Sequence, residues 1–240
     1  KPVTVDMAGE RDSAYEDVTI HTAVPWDPGL QAEYLKFVEA FGKTGLAKHP
    51  ALVGLYVHGI STSLGEEFWF DPRAFGNLAK AGMTPEKLQG AFETRIKAWA
   101  RAFGDQKGKL AWVGVGWIPA PDQDWEVYKS VQVYLNKLAV DEGLGYRGGG
   151  IEWFNQLSDA AGQKLGEDGH LVNDWNHPIL KERRFYGDEN EIYQDKEPQA
   201  TLMYRASTLR ALQMGMRFLW TADEAVALDP AVSSYFNLTA

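Results

Sequence analysis

Apolar positions along the chain follow two rhythms. Short, nearly continuous runs rich in β-branched residues suit strands covered on both faces, and stretches in which apolar residues return every three or four positions suit helices buried along one stripe. Val3 to Ala8 and Val18-Thr19-Ile20-His21-Thr22-Ala23-Val24 predict two strands. Trp26-Asp27-Pro28 predicts a helix start, with Asp27 as the cap and Pro28 in the first turn, where a missing N–H has no intrahelical bond to lose. Leu30, Tyr34, Phe37, Val38 and Phe41 form its stripe, and Gly42 or Gly45 ends it. The run Ala51 to Ile60 predicts a third strand. Thr84-Pro85-Glu86 opens a second helix, striped by Leu88, Phe92, Ile96, Trp99 and Phe103 and stopped at Gly104.

The same alternation continues. Leu110 to Trp117 predicts a strand, and Asp124 caps a helix carrying Val127, Val131, Tyr134, Leu135 and Leu138. Gly145 to Phe154 predicts another strand, with Gly148-Gly149-Gly150 as a place of close backbone approach; no lysine follows in the register of a phosphate loop. Ser158 to Lys181, rich in Gly, Asp and Asn, predicts a long loop of the functional kind. Within Arg183 to Tyr193 an aromatic run stops at Gly187, and Asp188, Glu189 and Glu191 follow, so a strand with carboxylates past its end is predicted. Pro198 to Met216 predicts a helix with Leu202, Ala206, Leu209, Leu212 and Met216 on one face. Arg217 to Thr221 predicts a last strand, and Asp223 to Tyr235 short, broken helix around Asp229-Pro230.

Seven predicted strands with helices between most of them imply a parallel α/β architecture. A closed (β/α)8 TIM barrel needs one strand more and typically about 250 residues. If the missing strand precedes Lys1, the Val3 run is the second strand, the run ending at Ile60 the fourth and the run ending at Gly187 the seventh. The expectation is a single barrel domain over residues 1–240, lacking its first strand and belonging to a longer polypeptide.

Composition narrows the function. With 240 residues, 45% of them apolar, the chain can bury a sizeable core, and no run is long enough to predict a membrane span. A balance of 33 acidic against 24 basic residues gives a net charge of −9, which disfavours nucleic acid and anionic lipid as partners. The absence of cysteine removes disulfides, thiolate nucleophiles and cysteine metal sites together. The start at Lys1-Pro2-Val3 carries no basic-plus-apolar leader and is expected of a mature form or an excised piece; a secreted or periplasmic location is favoured over the cytoplasm. Gly-x-Ser-x-Gly, Walker and Gly-x-Gly-x-x-Gly signatures are missing from the settings they need, and His170 and His177 stand too far apart for one helix face, so neither cofactor nor metal is expected.

Four segments carry a family likeness: Val24-Pro25-Trp26-Asp27-Pro28 before a helix, His49-Pro50-Ala51-Leu52-Val53-Gly54-Leu55 leading into a strand, Gly65-Glu66-Glu67, and Tyr186-Gly187-Asp188-Glu189. Together they resemble the clan of retaining glycoside hydrolases built on a (β/α)8 barrel, nearest in texture to the family-42 β-galactosidase-like barrels. The resemblance implies an acid/base at the end of strand four, a nucleophile at the end of strand seven, a carbohydrate substrate and no cofactor. It assigns Glu66 as acid/base with Glu67 as rival, and Glu189 as nucleophile with Asp188 as rival. Glu152, after the presumed sixth strand, is a third candidate, as a substrate hydrogen-bonder or ion-pair partner. One departure stands out: the clan commonly puts Asn-Glu at the end of strand four, whereas Val57-His58-Gly59-Ile60 occupies that place here.

The chemistry needs two carboxyls. Cleaving a glycosidic bond builds positive charge at the anomeric carbon and negative charge on the leaving oxygen, so one protonated carboxyl donates to that oxygen while an ionised one attacks or guides water. Trp26, Trp69, Trp117, Trp153 and Trp175 fall just past strands or in the long loop and are candidate stacking platforms for sugar faces, with packing under a loop as the alternative. His58 and His21 could hydrogen-bond hydroxyls or sit satisfied in the core. Trp99 and Trp112, inside periodic elements, are read as core. For the carboxylates the bland alternative is an ion pair, Glu189 with Arg147 or Arg184. The rival functional readings are a non-catalytic carbohydrate-binding barrel and an excised structural domain.

Overall fold

Helix starts follow the local chemistry. In the computed structural model, which describes residues 2–6, 19–57, 75–113, 125–147, 177–190, 208, 211 and 215–221, α1 (Pro28–Lys43) begins where the extended Asp27 accepts the Leu30 N–H at 2.8 Å. Thr84 does the same for α3 (Pro85–Phe103), accepting from Lys87 at 3.3 Å. Each cap satisfies an N–H that the first turn leaves without an intrahelical partner. A short helix, α2 (Phe75–Lys80), precedes α3; α4 spans Trp125–Asp141 and α5 Pro178–Lys181.

Four helix ends share one device. The N–H of Met83 bonds to Leu78 O, Leu144 to Ala139 O, Arg184 to Ile179 O and Met216 to Ala211 O, each at 2.9 to 3.1 Å. A residue at positive φ makes each reversal possible: Gly82, Gly143, Arg183 and Gly215. This closure satisfies end carbonyls and normally takes glycine. It also corrects a boundary, because Gly215 turns the chain before Met216, the predicted last helical residue. Thr208 and Ala211, the described residues between 191 and 214, are helical and buried.

The strands β3 (Leu55–Val57), β4 (Leu110–Val113), β5 (Gly145–Arg147), β6 (Tyr186–Asn190) and β7 (Phe218–Thr221) form one sheet in the order 3-4-5-6-7, with every pair parallel. The protein is thus an α/β fold on a parallel sheet. A doubly wound sheet reverses its strand order at a switch point; these five strands run in consecutive order. α3 and α4 cover one face. On that face Trp112, fully buried, meets Phe92 of α3 edge-on at 6.2 Å and donates its indole N–H to Asn136 Oδ1 of α4 at 2.8 Å. Trp99 is buried as well, as expected, donating to Tyr34 Oη at 2.9 Å where α1 lies on α3.

The sheet is strongly curved. Neighbouring strands stand about 4.8 Å apart, so the outer strands of a flat five-stranded sheet are separated by about 19 Å. Yet the rings of Tyr56 on β3 and Phe218 on β7 approach to 5.7 Å between centroids, and Phe185, just before β6, lies 6.0 Å from Tyr56 and 4.3 Å from Phe218. Side chains from the first and last strands meet only if the sheet curls around them.

Two strand expectations are corrected. The first two strands, β1 (Pro2–Asp6) and β2 (Thr19–Ala23), pair antiparallel from Pro2↔Ala23 to Asp6↔Thr19, separately from the parallel sheet, so the Val3 run is not a second parallel barrel strand. The intervening sequence, Met7 to Val18, is dominated by charged and turn-forming residues and offers no apolar stripe for the crossover helix that a parallel return requires. The third strand starts at Leu55, not Ala51. His49 turns the chain there, its carbonyl accepting the Leu52 N–H and its Nδ1 the Ala51 N–H, each at 3.1 Å. Gly54 then slides beneath Phe185, whose ring would stand 2.3 Å from an added Cβ. The helix α2 and the 3-10 turns Leu46–Lys48 and Gly104–Lys109 were not predicted by periodicity, being too short to show one. No helix among the described residues is long and apolar enough to cross a membrane.

Candidate functional site

Parallel strands present all their C-terminal ends at one edge, which is where ligands of open and closed parallel sheets bind. Register gives the levels at that edge. Val57, Trp112, Tyr146 and Tyr186 align across β3 to β6, and one residue higher Val113, Arg147, Gly187 and Phe218 align across β4 to β7. Above them come Asp188 beside Leu219, Glu189 beside Trp220 and Asn190 beside Thr221.

The two faces differ in character. The helix-covered face holds Val57, Trp112, Tyr146 and Tyr186, all buried in the core. The concave face holds Tyr56, Phe185 and Phe218, with the Arg147 guanidinium above them, its carbon 5.9 Å from the Tyr56 ring centroid. Arg147 is 3% exposed. Because successive residues of a strand alternate faces, position 189 falls on the concave face with Gly187, and position 188 on the helix-covered face with Tyr186. The register therefore puts positions 188 and 189, adjacent in sequence, on different faces.

Glycines let these strands run close against their neighbours' backbone. A Cβ on Gly145 would stand 1.8 Å from Phe185 O, and one on Gly187 2.2 Å from Phe218 O. Neither strand could carry a side chain at that place without moving its neighbour.

Of the other predicted site residues, Trp26 lies in the turn between β2 and α1. It is half-buried against the core and donates its indole N–H to Ala81 O at 3.3 Å, which is the packing alternative left open for it. His177 caps α5, its Nδ1 accepting the Ile179 N–H at 3.3 Å. Glu66, Glu67, Glu152, His58, Trp69, Trp117, Trp153 and Trp175 lie outside the described residues, as do Glu191 and His170. Arg184 is engaged at the N-terminal end of the sheet, its Nη1 donating to Val140 O at 2.7 Å and Leu144 O at 3.0 Å and its Nε to Glu182 at 3.0 Å.

The aromatic floor is the site feature that the pattern did not single out, whereas Arg147 entered only as an ion-pair partner. The signal of the floor was present in a weak form, as aromatics at Tyr56, Phe185 and Phe218 in or beside strands. Among the described residues, Glu39 beside Lys43, Glu86 by backbone N–H and Thr84 hydroxyl bonds, and Glu93 beside Lys97 and Tyr134, all on helix surfaces, are held below their ordinary value. Cavities of about 170 and 330 Å³ open at the N-terminal end of the sheet around Arg183 and Arg217, away from the carboxylates of β6. Among the described residues no three His, Asp or Glu side chains gather as a metal would require. Comparison with family models, with curated proteins and with solved structures finds no match, so the site is read from its own residues.

Proposed function

We propose that the chain is a (β/α)8-barrel glycoside hydrolase in which β3 to β7 are five consecutive barrel strands, Glu189 is the nucleophile and Glu66 the acid/base, with Glu67 as its alternate. The observation that carries this reading is the ring contact between Tyr56 and Phe218 at 5.7 Å. In a ring of eight strands, strands four apart stand opposite each other, and inward side chains from them meet at the axis in packed layers. β3 and β7 are four apart in the order. A filled interior leaves the rim at the C-terminal strand ends for chemistry, and position 189 lies on the concave face at that rim.

Spacing supports the assignment of roles. Glu66 follows β3 in the chain and Glu189 lies on β6, three strands on, which is the separation between acid/base and nucleophile strands in the resemblance. In the reaction, protonated Glu66 donates to the leaving oxygen as the Glu189 carboxylate attacks the anomeric carbon. Water activated by Glu66 then releases the sugar from Glu189 with retained configuration. His58, Trp69, Trp117, Trp153 and Trp175, on segments following the strands, would supply hydroxyl contacts and stacking surfaces.

Turnover of a panel of α- and β-linked aryl glycosides tests the reading. The wild-type chain should cleave at least one of them, and Glu189→Gln and Glu66→Gln should each lose most of that rate while remaining folded by circular dichroism. Unchanged turnover in both variants would overturn the pairing. Sugar binding without turnover in the wild type would favour the non-catalytic carbohydrate-binding barrel, the reading consistent with Val57-His58-Gly59-Ile60 standing where the clan has Asn-Glu.

A further inference from the structure

The parallel direction of β3 to β7 gathers the residues that lead into these strands at one end of the sheet, opposite the rim where glycoside chemistry is proposed. Lys109 leads directly into β4, Arg217 directly into β7, and Arg183 stands just before β6. Cavities of about 170 and 330 Å³ open at that end; Arg183 and Arg217 line both of them, and Lys109 lines the smaller. A chain of net charge −9 thus brings three cations around one pair of cavities. Among the described residues Asp105 is the acidic residue lining them, and none of the three cations forms an ion pair with it or with any other carboxylate.

Arg183 closes α5 at φ 52°, in the place where Gly82, Gly143 and Gly215 close other helix ends. Glycine would hold the same turn without strain. Strain that persists where a better-suited residue exists points to a use for the side chain. That use is not structural: Arg183 is exposed, and among the described residues its guanidinium makes no hydrogen bond and no ion pair. Its backbone carbonyl accepts from Nη1 of Arg217. The bond holds the Arg217 side chain at the Arg183 backbone, so both arginines are in place at the cavities before anything binds. Like charges gathered in this way repel one another, and an anion seated among them reverses the sign of the interaction.

We infer that these cavities are a binding site for a small phosphate-like oxyanion, free phosphate or a phosphate monoester, held by Arg183 and Arg217 with Lys109 as a third cation. The planar guanidinium fork matches phosphate geometry with two parallel N–H bonds, and lysine adds a point charge. Size favours a small ligand, since pockets for drug-sized molecules run from about 300 to 1,000 Å³; the smaller cavity falls below that range and the larger stands at its foot. Val53 and Phe185 give the smaller cavity an apolar wall for the organic part of an ester. The site is independent of the glycosidase reading, because it uses none of the residues at the opposite rim.

Calorimetric titration of the whole chain with inorganic phosphate, at an ionic strength held constant with sodium chloride, tests the inference, with thermal melts alongside. Wild type should bind saturably with a Kd of about 1 mM or tighter, and Tm should rise with phosphate concentration. Arg183→Gly should weaken binding by about tenfold or more while its Tm without phosphate does not fall, which separates loss of the site from loss of the fold. Arg217→Gln should weaken binding by a similar factor, and Arg217→Lys by less, since it keeps the charge and loses the fork. Lys36→Gln, which removes a cation on α1 that lines neither cavity, should leave the Kd within about twofold. Phenyl phosphate binding more tightly than inorganic phosphate identifies an ester as the ligand; equal or weaker binding identifies the free ion. Should Arg217→Gln fail to fold, Arg183→Gly and Arg217→Lys decide. A rise in Tm that sodium chloride alone reproduces, an affinity that survives the changes at both arginines, or no saturable binding below about 10 mM overturns the inference.

Discussion

Arg183→Gly should make the protein more stable, although it removes a charged side chain. Arg183 has φ 52°, and among the described residues it is the one non-glycine at positive φ. It holds the place in the α5 closure that glycine takes at positions 82, 143 and 215. A left-handed conformation costs an L-residue about 1–2 kcal/mol, which glycine escapes. Glycine in turn gives the unfolded chain extra freedom, a cost of about 0.4–1 kcal/mol. The difference is a net gain of about 0.5–1 kcal/mol. Little is lost in contacts, because Arg183 is exposed and the Arg217 guanidinium donates to its backbone carbonyl, which any residue keeps. At about 2–4 °C per kcal/mol for a chain of this size, Tm should rise by about 1–4 °C. Thermal melts followed by circular dichroism, with urea titration alongside, measure it. Arg183→Ala is the control: it removes the same charge and keeps the Cβ strain, so it should leave Tm nearly unchanged. A fall in Tm for Arg183→Gly would refute the reasoning and mean that the Arg183 side chain holds the N-terminal end of the sheet together.

Other outcomes follow from named contacts. Asn136→Leu should cost about 1–3 kcal/mol in urea unfolding, because it leaves the buried Trp112 indole N–H without its acceptor. Thr84→Ala should cost about 1 kcal/mol by uncapping α3, and Thr84→Ser should restore most of it. Glu93 is held below its ordinary 4.5 by its bond from Lys97 and then by Tyr134. A lowered folded value means the stabilisation is present above the unfolded pKa and lost as pH falls through the folded one. The stability advantage of wild type over Glu93→Gln should therefore be full near pH 7 and shrink below about pH 4.5, as parallel melts across pH would record. Asp188→Asn should keep glycoside turnover within a few-fold of wild type while Glu189→Gln loses at least about 10²-fold; equal losses would contradict the face assignment.

What the chain discloses in advance depends on how far apart the determinants lie. Asp27 and Thr84 announce their helices because a cap acts across three residues, and Gly104 announces a stop for the same reason. The apolar run at Leu110 gives its strand directly, since Leu110 to Val113 are all buried. Strand direction is another matter: nothing in the β-branched run at Thr19 says which way it will lie against Pro2–Asp6, and only the unsuitability of Met7 to Val18 for a crossover helix hints at the antiparallel return. Ala51 to Gly54 reads as strand because it is apolar, yet its glycine is needed under Phe185, a ring far along the chain. The candidate site divides in the same way. The acidic positions 188 and 189 were expected past a strand ending at Gly187, but β6 runs through both to Asn190, and which of the two shares the concave face requires the pairing with β5 and β7. The aromatic floor exists only once the sheet has curled, so no local pattern could contain it.

The meeting of Tyr56 with Phe185 and Phe218 has a consequence in time as well as space. Its members come from the beginning and end of the parallel sheet, so the contact has high sequence separation and closes only after the intervening helices and strands are in place. During synthesis β3 leaves the ribosome long before Phe218 does. Until then the concave side of the sheet is an open aromatic surface, the kind of intermediate that chaperones hold and aggregates capture. A chain interrupted before β7 would have its helices and most of its sheet, and would still lack the ring that joins the last strand to the first.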